Sequence, residues 1–309
     1  MPDRRQTQSY LRNLFARRGI APQHRYGQNF LIDLNLHELI VKTAEVGPED
    51  VVLEVGPGAG ALTTLLAARA AAVVSVEIDP ALAALTAEAV AGLPNARVLN
   101  TDALAGKSAI DPAVLDNVRS GLAAAPGRPL KLVANLPYNI ATPLVTNLLV
   151  HPELCPSRMV ITIQLELAER MRAEPGQDAY GALSVLVQAL ADCTIVRTLP
   201  PTVFWPRPKV DSAIVLIVPR PEKRAAIPDL PWFHHVVRQV FLHRRKNLRG
   251  VLHSLWRDRL TKPEIDELLE SLGLTGLIRA EAMNVEEFLA LATALRERLT
   301  PDPEHLDGS

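Results

Sequence analysis

From residue 50 onward the chain alternates short β-branched runs with Ala- and Leu-rich stretches, and nothing else in it constrains the fold as strongly. Candidate strands are Val51–Val55, Val73–Ile78, Arg97–Asn100, Leu130–Ala134, Met159–Ile163, Thr194–Thr198 and Ala213–Val218. Helical stretches such as Leu62–Arg69 and Pro80–Ala91 lie between them. The strands lack a polar residue at every second position, so both faces are expected to be covered. The pattern predicts an α/β fold, a doubly wound sheet with helices on each side. Gly106–Pro129 is a long connection broken at Asp111-Pro112 and Pro126-Gly127, and it is expected to hold a helix of its own.

After Pro219 the strand pattern stops. Pro219, Pro221, Pro228 and Pro231 punctuate the chain, and only helical segments follow: Phe233–Leu242, Asn247–Leu255, Pro263–Leu272 and Val285–Leu299. The expected partition is a basic N-terminal arm over 1–30, a sheet domain over 31–222 and a small all-helical domain over 223–309 whose last ten residues fray. With 309 residues and 48% hydrophobic content the chain can build a sizeable core. Apolar runs such as Ala70–Val76 are too short to span a bilayer, so no membrane is expected. The first twenty residues have no apolar segment of the secretory type. Their arginines would suit a mitochondrial presequence, but a motif beginning at Gly27 leaves little room to cleave one. Cys155 and Cys193 show no metal-ligand spacing; they are expected as two buried thiols in a reducing cytoplasm, with no metal site.

A net charge of −1 argues against a nucleic-acid partner, but the charge is unevenly spread. Residues 1–28 carry Arg4, Arg5, Arg12, Arg17, Arg18 and Arg25 against Asp3. Residues 203–260 carry twelve Lys/Arg against four Asp/Glu. Two basic blocks on an acidic body suit a protein that grips phosphates at chosen places, although solvated surface would read the same way.

Strand Val51–Val55 runs into Gly56-Pro57-Gly58-Ala59-Gly60 and then a helix. Gly56 and Gly58 allow a tight turn and close approach of a ligand beside a helix N-terminus. Glu77, at the end of the second strand, is placed to accept hydrogen bonds from ribose hydroxyls. Asp102, after the third, is placed to accept from an adenine amino group. NAD and S-adenosylmethionine both remain allowed; Gly-x-Gly-x-Gly in place of Gly-x-Gly-x-x-Gly favours the sulfonium cofactor. Each acid alone could be an ordinary strand-end residue. Three such signals at successive strand ends of one sheet point to a ligand.

The fourth strand delivers Asn135-Leu136-Pro137-Tyr138. An exocyclic adenine amino group is a poor nucleophile because its lone pair is delocalised into the ring. Acceptors aimed at its hydrogens draw the nitrogen toward tetrahedral geometry and stabilise the positive charge that develops on it. The Asn135 side-chain oxygen and the Leu136 carbonyl are such acceptors, Pro137 stiffens the loop and Tyr138 offers a stacking face worth about 1–3 kcal/mol. Asn, Pro and Tyr also make ordinary turns; the position beside a cofactor loop favours the functional reading.

The chain resembles the ribosomal RNA small-subunit adenine N6,N6-dimethyltransferase family, KsgA-type, through a series of motifs spread over nearly its whole length. These are Gly27-Gln28-Asn29-Phe30-Leu31, Glu54–Thr63, Val76-Glu77-Ile78-Asp79, Asn135–Ile140, Tyr180–Ser184, Pro208–Ala213, Arg244–Arg249 and Arg279-Ala280-Glu281. The resemblance implies a class I S-adenosylmethionine-dependent methyltransferase, Rossmann-like, with a C-terminal helical RNA-binding domain. It implies that Asn29 and Leu31 close over the cofactor, that Gly56 packs on its methionine part, that Glu77 holds its ribose and Asp102 its adenine. Asn135 would sit where cofactor and target meet, Tyr138 and Phe204 would bracket the target adenine, and Arg244, Arg245, Lys246 and Arg249 would contact RNA phosphates. The implied partner is small-subunit rRNA in a pre-30S particle, and the implied state a cytoplasmic monomer. The connection from Asp102 to Asn135 is longer than the family pattern, and Ala141 stands where relatives carry Ser.

A large-subunit methyltransferase of the antibiotic-resistance type is the nearest rival, opposed by Leu136 and the Pro208–Ala213 run. A DNA adenine methyltransferase would need a recognition domain that the sequence does not contain. An assembly factor that mainly binds and checks the particle, with methylation secondary, is excluded by nothing in the sequence, but the intact set Glu77, Asp102, Asn135 and Tyr138 predicts a working enzyme. An NAD-dependent dehydrogenase lacks an acid/base residue, since His234, His235, His243 and His253 lie in the helical region.

Overall fold

The computed structural model describes residues 7–23, 26–124, 127–243 and 246–299. The chain divides into two compact units, Met1–Ala168 with Asp192–Pro219, and Glu169–Ala191 with Arg220–Ser309. The segment Glu169–Ala191, expected within the sheet domain, is grouped with the helical one, and the division falls at Pro219/Arg220.

The first unit opens with α1 (Gln8–Arg18), β1 (Phe30–Leu31) and α2 (Leu34–Thr43). Alternation then follows through β2 (Val51–Val55), α3 (Ala61–Ala67), β3 (Ala72–Glu77), α4 (Pro80–Ala89), β4 (Ala96–Asn100), α5 (Pro112–Ala123), β5 (Leu130–Asn135), α6 (Ala141–Val150) and β6 (Arg158–Gln164). After α7 (Leu165–Arg172) and α8 (Ala182–Leu190) come β7 (Ala191–Leu199), β8 (Phe204–Trp205) and β9 (Ser212–Pro219). The second unit continues with α9 (Pro221–Ala225), α10 (Leu230–Leu242), α11 (Leu248–Trp256), α12 (Lys262–Ser271) and α13 (Val285–Leu299).

Among the described residues the main sheet has the order β4-β3-β2-β5-β6-β9-β7. β2, β3, β4, β5 and β6 pair in parallel, and β9 runs antiparallel to β6. The central strands β2, β5 and β6 are buried along their length, which explains the missing polar alternation. The chain leaves β2 toward β3 and β4, then returns to place β5 on the other side of β2. This is a topological switch point, and the ends of β2 and β5 open onto one crevice there. The long connection before β5 does hold a helix, α5, entered through the Asp111 cap and Pro112.

The N-terminal arm is not a loose basic tail over its described part. Thr7 caps α1, Gly19 ends it in the left-handed region, and Leu11 and Phe15 bury their side chains against Leu82 and Leu85 of α4. Phe15 meets the rings of Phe30 at 5.2 Å and Trp205 at 5.4 Å, both edge-on. Arg18 makes a paired contact with Glu88, and Arg12 sits over the Trp205 ring, so part of the basic block is already neutralised or stacked. Arg4, Arg5 and Arg25 lie outside the described residues. The two-residue strands β1 and β8 pair antiparallel, Phe30 with Trp205 and Leu31 with Phe204.

Between β2, β5, β6 and β9 on one side and α2 and α3 on the other lies a core of Val52, Val133, Val160, Ile214, Ile40 and Leu66. In the second unit Phe241 stands between the rings of Tyr180 and Phe288, and the Tyr180 hydroxyl donates to the Met283 carbonyl. Cys155 and Cys193 are half-buried rather than fully buried; Cys193 lies on β7, whose side chains are only partly covered. Among the described residues no helix is long and apolar enough to cross a membrane.

Phe15→Ala removes a buried ring with two aromatic neighbours. It should cost about 3 kcal/mol of unfolding free energy, measured by urea titration; a loss below about 0.5 kcal/mol, the scale of a neutral surface change, would mean that α1 is not docked as described.

Candidate active site at the switch point

The glycine loop follows β2 directly. Gly56 and Gly58 hold φ of 76° and 62°, the left-handed region that side chains disfavour. Space forbids a side chain as well. A Cβ on Gly56 would lie 2.9 Å from Pro137 Cδ, and one on Gly58 would lie 2.8 Å from the Phe30 ring. The loop is therefore pressed between the Asn135–Tyr138 segment and the N-terminal strand.

Glu77 ends β3 and is 5% exposed. Its two oxygens accept from the Gly58 N–H at 3.3 Å and the Asp79 N–H at 3.0 Å. Burial pushes its pKa up to about 7; the N–H bonds pull it back down and the nearby Asp79 charge adds to the rise. Asp102 is exposed, and its Oδ1 accepts from the Leu104 N–H. Gly56, Glu77, Asp102 and Pro137 line one cavity of about 60 Å³. A second, of about 40 Å³, is lined by Asn29, Gly58, Glu77, Asn135 and Leu136. A third, of about 30 Å³, is lined by Leu31, Glu54, Gly58 and Asn135. The expected cofactor residues are thus brought together around adjoining spaces that share Gly56. Their donor set suits a nucleoside cofactor: carboxylates for hydroxyl and amino groups at one end and a glycine cradle at the other.

Two acids in this region went unassigned in the sequence. Glu54 lies 1% exposed in the middle of the sheet and accepts from Thr63 at 2.7 Å and Ser75 at 2.6 Å. Burial raises its pKa to about 7, against the two hydroxyl bonds. A carboxylate within the apolar run Val51–Val55 was itself the signal. Asp79 caps α4 through Ala81 N–H, while its other oxygen accepts from the Gln23 and Gln28 side chains at 3.0 and 3.2 Å. Those two bonds fasten the arm beside Glu77, a role that no local pattern announces.

Asn135 ends β5, and its Nδ2 donates to the Asn29 carbonyl at 2.9 Å. The carbonyl can only accept, so the amide nitrogen must face the arm and Oδ1 is the terminus left for other work. Leu136 is anchored by its N–H to the Thr162 carbonyl, and Pro137 accepts from the Ile140 N–H in a turn. Tyr138 is half-buried; its hydroxyl lies 2.7 Å from that of Ser212, and burial pushes its pKa up. Ala141, the unusual small residue, opens α6 fully buried.

Phe204 is placed differently from the expectation of a ring opposite Tyr138. It is 1% exposed within the core formed by Leu31, Leu36, Val133, Val160 and Ile214. Pairing of β1 with β8 covers its strand. In the second unit Arg244 and Arg245 lie outside the described residues, and Lys246 is exposed. Arg249 holds both carboxylate oxygens of Asp266 at 2.5 Å, tying α11 to α12, so this expected phosphate contact already has an anion.

Against known proteins, the model of the family "Ribosomal RNA adenine dimethylase" matches residues 21–295. The chain is 40% identical over 283 residues to "Ribosomal RNA small subunit methyltransferase A" of Moorella thermoacetica, covering 92% of this chain and 96% of that one. It is 41% identical over 281 residues to the protein of the same name from Lactiplantibacillus plantarum, covering 90% and 92%. The solved dimethyladenosine transferase from Plasmodium falciparum shares the fold, with TM-score 0.70 and 24% identity over 86% of this chain and 97% of that one. The solved 23S rRNA methyltransferase ErmE is 30% identical with TM-score 0.60, over 87% and 99%. A family model that spans nearly all of the chain, and relatives at about 40% identity matched almost end to end, establish that this chain belongs to the ribosomal RNA adenine dimethylase family.

Proposed function

We propose that this enzyme, by family an S-adenosylmethionine-dependent rRNA adenine dimethyltransferase, dimethylates N6 of two adjacent adenines near the 3′ end of small-subunit rRNA. It does so as a cytoplasmic monomer acting on a pre-30S particle. The observation that carries the chemistry is Asn135, held by the Asn29 carbonyl with its oxygen turned away from the arm, at the end of β5 against the glycine loop. The relatives' names favour the small subunit; ErmE, similar at lower identity, keeps the large subunit as the second reading.

S-adenosylmethionine, when bound, supplies an electrophilic methyl group. Glu77 would hold its ribose hydroxyls, Asp102 its adenine amino group and the Gly56–Gly58 backbone its methionine part; these residues line the adjoining cavities. The three adjoining cavities are lined in turn by Tyr26, by residues 26–30, and by Phe30 and Leu31, so the segment 26–31, with Asn29 and Leu31, would close over the bound cofactor. Asn135 Oδ1 and the Leu136 carbonyl would accept the hydrogens of the target amino group and orient its nitrogen for transfer. The proton leaves after transfer, when the nitrogen is acidic, so no general base is needed. Tyr138 stacks on the flipped base. Phe204 joins from the opposite face only once its ring is uncovered. Lys246, with Arg244 and Arg245, contacts RNA phosphates.

Labelled methyl transfer to unmethylated small and large subunits, with mapping of the products, tests the reading. Adjacent dimethyladenosines near the small-subunit 3′ end support it; label confined to large-subunit RNA overturns it.

Asn135→Ala should lower kcat by about 100-fold, the scale of one lost transition-state contact, with cofactor affinity little changed. A normal kcat would remove Asn135 from the chemistry. Glu77 carries a pKa raised to about 7, so it gains its charge between pH 6 and 8. Cofactor affinity should rise over that range, and Glu77→Gln should bind weakly with a flatter profile; equal affinity in calorimetry would contradict the ribose role. Lys246→Ala should reduce the slope of log affinity against log salt by about 0.7–0.9. Arg249→Ala should leave that slope alone and lower thermal stability instead, because its partner is Asp266. The reverse pattern would exchange the two roles.

A further inference from the structure

Ser212 has no task in the chemistry above, yet it meets the residue on which the target base would stack. It begins β9, opposite Gln164 of β6, and the Leu165 N–H donates to the neighbouring Asp211 carbonyl at 3.0 Å. The serine is fully buried, and its backbone is held in the ladder with β6. Its hydroxyl stands 2.7 Å from that of Tyr138, seventy-four residues earlier in the chain.

We propose that Ser212 is a positioning residue for methyl transfer: it pins the far end of Tyr138 so that the ring already stands at the place where the target adenine stacks. This rests on the function proposed above. The near end of Tyr138 is held by the turn in which Ile140 N–H donates to the Pro137 carbonyl, with Pro137 itself against Gly56. The hydroxyl oxygen lies on the ring's long axis, so a hydrogen bond there restrains the first side-chain torsion and fixes where the ring stands. The half-buried ring is therefore fixed at each end while part of it remains open. A ring fixed beforehand places the flipped base, and with it the amino nitrogen, at a set distance from Asn135 Oδ1. A freed ring still binds the base but holds the nitrogen in line less of the time, which lowers turnover more than affinity. Within the Pro208–Ala213 run, Ser212 is thus in contact with the target loop.

The test is a double-mutant cycle on the full-length enzyme with unmethylated small subunits: Ser212→Ala, Tyr138→Phe and the pair. Read-outs are kcat, KM for subunits, cofactor affinity and the thermal midpoint. Each single variant should lower kcat by roughly three- to tenfold, the scale of one net hydrogen bond, with KM and cofactor affinity close to wild type. The double variant should be no slower than the slower single one. A merely structural contact would lower the midpoint and leave kcat intact, and that result overturns the proposal. So do effects on kcat that multiply. Tyr138→Phe removes a single oxygen and carries the test if Ser212→Ala does not fold: a full kcat in it overturns the proposal. A wild-type enzyme that methylates no adenine of the small subunit sinks the proposed function as well; an active wild type with indifferent variants sinks only the role of Ser212.

Discussion

Everything in the site depends on the fit of Gly56 against Pro137. β2 and β5 are neighbours in the sheet without being neighbours in sequence, and their parallel register, Val51 opposite Leu130 and Leu53 opposite Leu132, brings both C-terminal ends out side by side. In the proposed function the loop after β2 carries the cofactor and the loop after β5 carries the target. They meet with so little space that one methyl group on Gly56 would strike the proline ring. Methyl transfer needs the reacting atoms aligned and about 3–3.5 Å apart, so the two loops must lie against each other. The Rossmann-like sheet supplies that closeness through its strand order, before any side chain acts.

Around this contact the protein buries carboxylates that it cannot fully neutralise. Glu54 and Glu77 have pKa values raised to about 7 from an ordinary 4.5, chiefly by burial. The sign follows directly. A carboxyl whose folded pKa lies above its unfolded one takes up protons on folding between those values, so the stability it contributes at low pH is lost as pH rises from about 4.5 through about 7. The ligand-free protein therefore carries a cost at neutral pH at the spot where hydroxyl donors of a nucleoside would repay it. Thr63 and Ser75 offset part of that cost for Glu54, and the N–H groups of Gly58 and Asp79 for Glu77. The arm then closes over the acids through Gln23 and Gln28 on Asp79 and through the Asn29 carbonyl on Asn135. The segment proposed to enclose the cofactor thus also sets the orientation of the Asn135 amide.

The sheet was legible because central strands bury both faces, leaving continuous apolar runs; β2 and α13 fall on the expected bounds, and the others within a few residues. β1 and β8 were not, since a two-residue strand has no periodicity to read, and their partners lie far apart in the chain. α1 was read as a basic arm because its arginines outnumber its buried residues; only Leu11 and Phe15 go inside. Glu77, Asp102 and Asn135, which line the adjoining cavities, were visible as strand-end signals. What stayed hidden was pairing across the chain: Arg249 looked like a free cation until Asp266 was found on it, Phe204 looked available until β1 covered it, and Ser212 looked like one letter of a motif until Tyr138 reached it.

The central claim is that Asn135 presents its oxygen, not its nitrogen, to the target amino group. A structure of the enzyme with an S-adenosylmethionine analogue and adenosine tests it most directly. The account requires Asn135 Nδ2 still on the Asn29 carbonyl and Oδ1 about 2.9 Å from the adenosine N6, an ordinary hydrogen bond. An amide turned about, or an N6 beyond reach of Oδ1, would contradict it.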